Sequence, residues 1–219
     1  MPKIISEQEK KQREMLIIDQ AFLMFETMDF TEITMAALAK KCNLAKGTLF
    51  VYFPTKETLF AKLLYKEYSE WGIHELEELR KHKSFTIESY KKFIMDETSY
   101  LIHERMRMIR LVAMKRSIIH QNIAPEILAE EIDGLDKTIH LLSRMTEKKL
   151  KFFNEEMIYR LYMMRHVIII GVYELATSPH NIEKLAKLNK NDLGIIETED
   201  ALLKMTRDYL DLLFKEQNH

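Results

Sequence analysis

Cysteine, proline and glycine are all scarce in this chain, and each shortage closes off a class of architecture. A single cysteine, Cys42, in 219 residues excludes an internal disulfide framework and suits a reducing compartment. Five glycines and four prolines are too few turn residues for many short strands, so long helices are expected instead. Long apolar runs are missing too. The longest, Val167 to Val172, is interrupted by Gly171 and is far too short to span a bilayer. The N-terminal MPKIISEQEKKQREM lacks the apolar core of a signal peptide. The expectation is a soluble, cytoplasmic, all-α protein without a membrane partner.

Signatures of catalysis are absent as well. The chain has no nucleophile elbow, no phosphate-binding glycine loop, no HExxH and no paired cysteines. None of its 8 histidines stands in a metal-ligand pattern with another His, Cys or carboxylate. No enzyme, metal or cofactor is expected. A helical enzyme and a plain helical interaction module are the rival readings, and neither predicts salt-sensitive, sequence-dependent DNA binding.

What is present is unevenly placed. The formal net charge is −1, yet Ile33 to Lys56 holds Lys40, Lys41, Lys46 and Lys56 and no acidic residue. Such a run is either a solvated helix face or a focused patch for a polyanion, and its position in the fold has to decide.

Ser6 and Glu9 form a capping-box pair that opens a helix bearing Met15, Ile18, Phe22 and Phe25 as one stripe, ending near Met28. Thr34 caps a short helix with Met35, Leu38, Ala39 and Cys42 on one face. Asn43 tolerates the left-handed conformation that ends it. A second short helix starts at Ala45 and must stop before Pro54. Thr55 then caps a long helix running from Lys56 towards Leu79. Two short helices joined by a tight turn and braced by longer ones make a helix-turn-helix.

Residues 49 to 53, LFVYF, cannot all be buried by one helix. Leu49 and Phe53, four apart, point inward beside Leu44. That leaves Lys46, Thr48, Phe50, Val51 and Tyr52 outside, a set suited to a major groove. There amines reach guanine or phosphate, hydroxyls serve either, and apolar groups meet the thymine methyl. Gly47 is compatible with close helix packing or with backbone approach to a phosphate strand.

Residues 30 to 60, FTEITMAALAKKCNLAKGTLFVYFPTKETLF, resemble the N-terminal domain of the tetracycline-repressor (TetR) family. Thr34, Leu38-Ala39, Lys46, Gly47, Thr48, Leu49, Tyr52, Phe53, Lys56 and Glu57 carry the pattern. Asn43 replaces the usual turn glycine, Ala45 the usual capping serine and Phe50 a common tyrosine. The resemblance implies a helix-turn-helix domain over 1–54 and a helical regulatory domain over 55–219. It implies a homodimeric repressor on an inverted-repeat, double-stranded operator, released by a small hydrophobic effector. A regulator of the same fold without such an inducer is the alternative. Thr34, Tyr52 and Lys56 are then expected at phosphates, and Lys46 and Thr48 at base edges. Val51 borders those bases, and Ala45, Gly47 and Phe50 complete the DNA-binding face.

Beyond the motif, helices are expected over about 87–120, 125–150, 155–177 and 199–215. The last has one stripe of Leu202, Met205, Tyr209 and Leu212 and a second of Leu203, Leu210 and Leu213. Two faces need two coverings. In the family the last two helices pair with their twofold mates, which nominates Leu161, Ile168, Met205, Tyr209, Leu210 and Leu213 for a dimer interface. Filling a monomeric core is the other reading. Fourteen methionines either pack the core or line an adaptable pocket, for which Tyr68, Trp71, His103, Met106, Arg110, Met114 and His166 are the candidates.

Overall fold

The computed structural model describes residues 6–151, 153–176 and 198–215, and no β-strand occurs among them. The all-α expectation holds. The helices are α1 (Glu7–Thr27), α2 (Met35–Lys41), α3 (Lys46–Tyr52), α4 (Lys56–Lys81), α5 (Ile87–Glu104) and α6 (Met106–Met114). A π-helical turn (Lys115–Ile119) follows, then α7 (Pro125–Glu147), α8 (Glu155–Ala176) and α9 (Thr198–Lys215). No helix among the described residues is long and apolar enough to cross a membrane. The described chain divides into two compact units, residues 1–68 with 114–134 and residues 69–113 with 135–219. The boundary expected at residue 54 lies within the first unit, where Lys56 and Phe60 of α4 contact α1 and the loop after it.

In the first unit α1 opens on the Ser6–Glu9 capping box and closes at Met28. Its buried face is Ile17, Ile18, Ala21, Met24 and Phe25. Met15, expected on that face, is exposed: no described residue before Ile17 is buried, so the first turns lie beyond the core. Phe60 from α4 is the hub, meeting Phe25 and Phe30 edge-on at 5.3 and 4.9 Å between ring centroids. Edge-on pairs of this kind stabilise beyond the area they bury.

In the second unit α9 packs on α5 and α8. Its inner face is Leu202, Thr206, Leu210 and Phe214, every fourth residue, a single stripe rather than the two expected. Leu210 thus belongs to the protomer's own core, and so do Leu161 and Ile168 on α8. Of the other nominated dimer residues, Met205 is exposed and Tyr209 and Leu213 are half-buried.

The helix expected over 87–120 is broken instead at Arg105 and again at the π turn. Arg105 leaves the helical region, with φ −128° and ψ 27°, while its guanidinium donates to Glu70 (2.7 Å) and Tyr100 (3.2 Å). Neither glycine nor proline marks the break; the Glu70 contact, 35 residues away, accompanies it. Thr177, the expected last residue of α8, lies outside the described residues.

Candidate nucleic-acid interface

The short helices are locked by backbone bonds before any side chain contributes. At the end of α2 the Leu44 N–H donates to Ala39 O (2.9 Å) and the Asn43 N–H to Lys40 O (3.2 Å). This is a Schellman closure, and it requires the residue after the cap to be left-handed. Asn43 meets that demand with φ 54°. Upstream, Thr34 Oγ1 accepts from the Ala37 N–H at 3.1 Å, closing the other end of α2. Leu38, Leu49 and Phe53 are inaccessible to solvent and pin α3 onto α2.

With that face fixed, the outer face of α3 follows. Lys46, Gly47 and Phe50 are exposed, Val51 is 78% exposed, and Thr48 and Tyr52 are half-buried. Ala45 caps the helix without a side-chain bond. The Lys46 amine hangs 5.8 Å from the Phe50 ring. A Cβ added at Gly47 would meet nothing within 4 Å, so close helix packing does not explain this glycine. Lys40 and Lys41 end α2, also exposed.

Lys56 behaves differently. Its ammonium donates to Phe30 O (2.6 Å) and Ile33 O (2.8 Å) and lies 3.9 Å from the Phe30 ring centroid. Burial holds its pKa below the ordinary lysine value, with Glu57 opposing that shift. Two of its three donors are thereby used on the α1–α2 loop. Sequence reasoning did not find this clasp, because the pairing joins residues 23 and 26 apart.

The effector candidates are divided between the two units. Tyr68 and Met114 belong to the first unit and Trp71, His103, Met106, Arg110 and His166 to the second. Tyr68 and Trp71 are buried, whereas His103 is exposed and faces Glu199 at 3.2 Å. Met106, Arg110, Met114 and His166 are half-buried. In the first unit Lys115, from the π turn, and His120 lie 3.7 and 3.4 Å from the buried carboxylate of Glu131. Burial lowers both their pKa values against the pull of that carboxylate.

Comparison with known proteins bears on the motif directly. Residues 17–63 match the model of the bacterial regulatory proteins of the tetR family. That segment is a TetR-family N-terminal domain. Over 54 residues it is 35% identical to the uncharacterized HTH-type transcriptional regulator YuxN of Bacillus subtilis (strain 168), a match spanning 25% of this chain and 19% of that relative. The TetR-family fold extends much further. A TetR transcriptional regulator from Rhodococcus sp. RHA1 superimposes with a TM-score of 0.59 at 16% identity, covering 96% of this chain and all of that one. A transcriptional regulator from Cytophaga hutchinsonii gives 0.58 at 18% identity, covering 92% and 96%. FadR of Thermus thermophilus, a TetR-family repressor in complex with lauroyl-CoA, gives 0.54 at 16%, covering 92% and 93%.

Proposed function

We propose that this protein is a one-component transcriptional repressor that binds an inverted-repeat operator as a homodimer and is released by a small effector. The observation that carries the reading is the outer face of α3. Lys46, Gly47, Phe50 and Val51 project from a helix whose opposite side is locked into the core, with no carboxylate between Ile33 and Lys56. In this reading Lys46 and Thr48 address base edges, Val51 and Phe50 contact thymine methyls, and the open backbone at Gly47 and Ala45 meets phosphate. Thr34 and Tyr52 flank that helix as phosphate contacts. Lys56 shapes the loop before α2 and offers its remaining donor.

Dimerisation is supported by apolar surface one step round from the residues first nominated. On α8, Met163, Met164, Val167 and Leu175 are exposed, with Gly171 open among them; on α9, Met205 and Leu212 are exposed. Apolar surface at this spacing on two helices that pack together is suited to a four-helix bundle with a second copy.

A gel shift on DNA upstream of the protein's own gene, against random DNA, tests the reading. Sequence-dependent binding is expected, falling steeply between about 50 and 200 mM salt as phosphate contacts release counterions. Val167→Glu should give monomers by light scattering and lose the operator, because the two half-sites are no longer engaged together. Binding to both DNAs alike, at all salt concentrations, would overturn the proposal.

A further inference from the structure

Three helices of the second unit each turn a charged side chain inward where an apolar one is expected: Glu75 on α4, Glu97 on α5 and Arg165 on α8. All are at least nine-tenths buried, as are Trp71, Tyr90, Thr146 and Tyr162 around them. Arg165 Nη1 donates to both oxygens of Glu75, at 3.0 and 3.2 Å. The rest of the cluster is unfinished. Trp71 Nε1, Arg165 Nη2 and Glu97 Oε2 have no hydrogen-bond partner. The Tyr162 hydroxyl interacts with Glu75, and the Tyr90 hydroxyl with Thr146 and Tyr162. His74 Nε2 stands 3.5 Å from Glu97 Oε2.

Folded proteins pair nearly all their buried polar atoms, so this many orphans in one place call for an occupant. We propose that the cluster is the recognition site for a small uncharged molecule that presents carbonyl-type oxygen acceptors from a flat apolar body. The proposal deepens the effector reading above and rests on it.

Charge selects against the other ligand classes. Arg165 and Glu75 cancel. Burial, with Glu75 nearby, raises the Glu97 pKa to about 8, which leaves it neutral near pH 7. A cation would meet the Arg165 guanidinium and offer no acceptor to Trp71 Nε1 or Arg165 Nη2, which only donate. An anion would add a second negative charge beside Glu75 in a site with one cation. A neutral acceptor answers both donors and leaves the charge balanced. The Trp71 and Tyr162 rings, edge-on at 6.4 Å, supply apolar surface for its body.

The test titrates the full-length protein, without DNA, with four probes sharing one ring: acetophenone, benzoate, benzylammonium and ethylbenzene. Trp71 is the only tryptophan, so its fluorescence reports binding directly. Acetophenone should bind with a Kd of about 1 mM and roughly tenfold more tightly than the other three. Trp71→Phe, read by calorimetry, should weaken it about five- to tenfold, as loss of one buried hydrogen bond does. It should not lower the Tm by more than a few degrees, because it removes a donor with no partner in the unliganded protein. Equal binding of all four probes, no acetophenone binding at about 10 mM, or a variant that unfolds without altering affinity would overturn the site and point to internal water. The gel shift separates the two readings. Operator binding without any probe binding leaves the regulator standing and removes this site. Probe binding that leaves the operator shift unchanged keeps the site and removes its role as effector switch.

Discussion

The helix-turn-helix and the core of the second unit treat polar groups in opposite ways. In the helix-turn-helix, Thr34 Oγ1, the backbone groups around Asn43 and the Lys56 ammonium are each matched by a named partner at 2.6 to 3.2 Å. Its remaining chemistry, on Lys46, Thr48 and Val51, faces outward. In the second unit the chemistry faces inward, and Glu97, Arg165 and Trp71 each bury an atom without a partner. A reading head needs a rigid scaffold and an exposed surface. A sensor needs a site whose interactions are completed only when something binds, because a ligand shifts an equilibrium only by its differential affinity for two states.

The contrast breaks most visibly at Arg165. Arg165→Met would strand Glu75, which is fully inaccessible, as an uncompensated buried carboxylate. Removing one partner of a buried pair costs about 3–5 kcal/mol. The loss should appear as a lower urea midpoint. Adding Glu75→Leu should recover most of it, since replacing both partners by apolar groups is often neutral. If the double variant is as unstable as Arg165→Met alone, the pair is not what holds these helices together. No surface substitution on α3 should approach this size; Val51→Ala, at 78% exposure, should stay within about 0.5 kcal/mol.

How legible each unit was in the sequence follows the same division. Thr34, Asn43, Thr55 and the Leu49/Phe53 pair announce themselves through contacts within five residues, where capping and periodicity rules apply. The inward turn of Lys56 was not legible, because its carbonyl partners come from a loop 23 and 26 residues away. The break at Arg105, which neither glycine nor proline marks, was hidden too. In the second unit the signal existed but needed the buried face to be known first. Glu75 lies four residues after Trp71 on the inward stripe of α4. Arg165 lies between Leu161–Tyr162 and Ile168–Ile169 on α8. Charged residues at such positions pass for solvated ones until the stripe is placed. The burial of the dimer nominees was hidden likewise: Leu161, Ile168 and Leu210 are buried within the protomer, whereas Met164, Val167 and Met205 on the same helices are exposed.

A smaller effect sharpens the comparison within the first unit. If Lys56 is chiefly a clasp, Lys56→Met should lower stability by about 1–2 kcal/mol, the range for charged hydrogen bonds that water partly replaces. It should weaken operator and random DNA together through the loosened loop, while the slope of log K against log salt changes by less than the roughly one unit that a lost phosphate contact gives. An unchanged Tm with a slope reduced by a full unit would return Lys56 to the role of phosphate anchor.

A separate effect is a pH dependence in the second unit. Glu97 has an ordinary value of 4.5 that burial, and then the charge of Glu75, raise to about 8; Arg165 pulls the other way and Glu78 and Asp96 add to the rise. Its pKa is therefore higher folded than unfolded. Below about pH 4.5 both states carry the proton and Glu97 imposes no penalty. As pH rises from there towards 8, the unfolded chain releases the proton first, so the unfolded state is favoured and stability falls. Above that window the penalty is constant. Glu97→Gln keeps the shape of the protonated acid and cannot ionise. Its Tm should match the parent near pH 4.5 and exceed it by roughly ten degrees near pH 8.5. An acceptor ligand that needs protonated Glu97 beside it should likewise bind the parent less tightly at pH 8.5 than at pH 6.5, and bind Glu97→Gln equally at both. Parallel Tm curves for the two proteins from pH 5 to 8.5 would show that Glu97 stays ionised in the core, and the inward-facing chemistry would then carry a net negative charge rather than none.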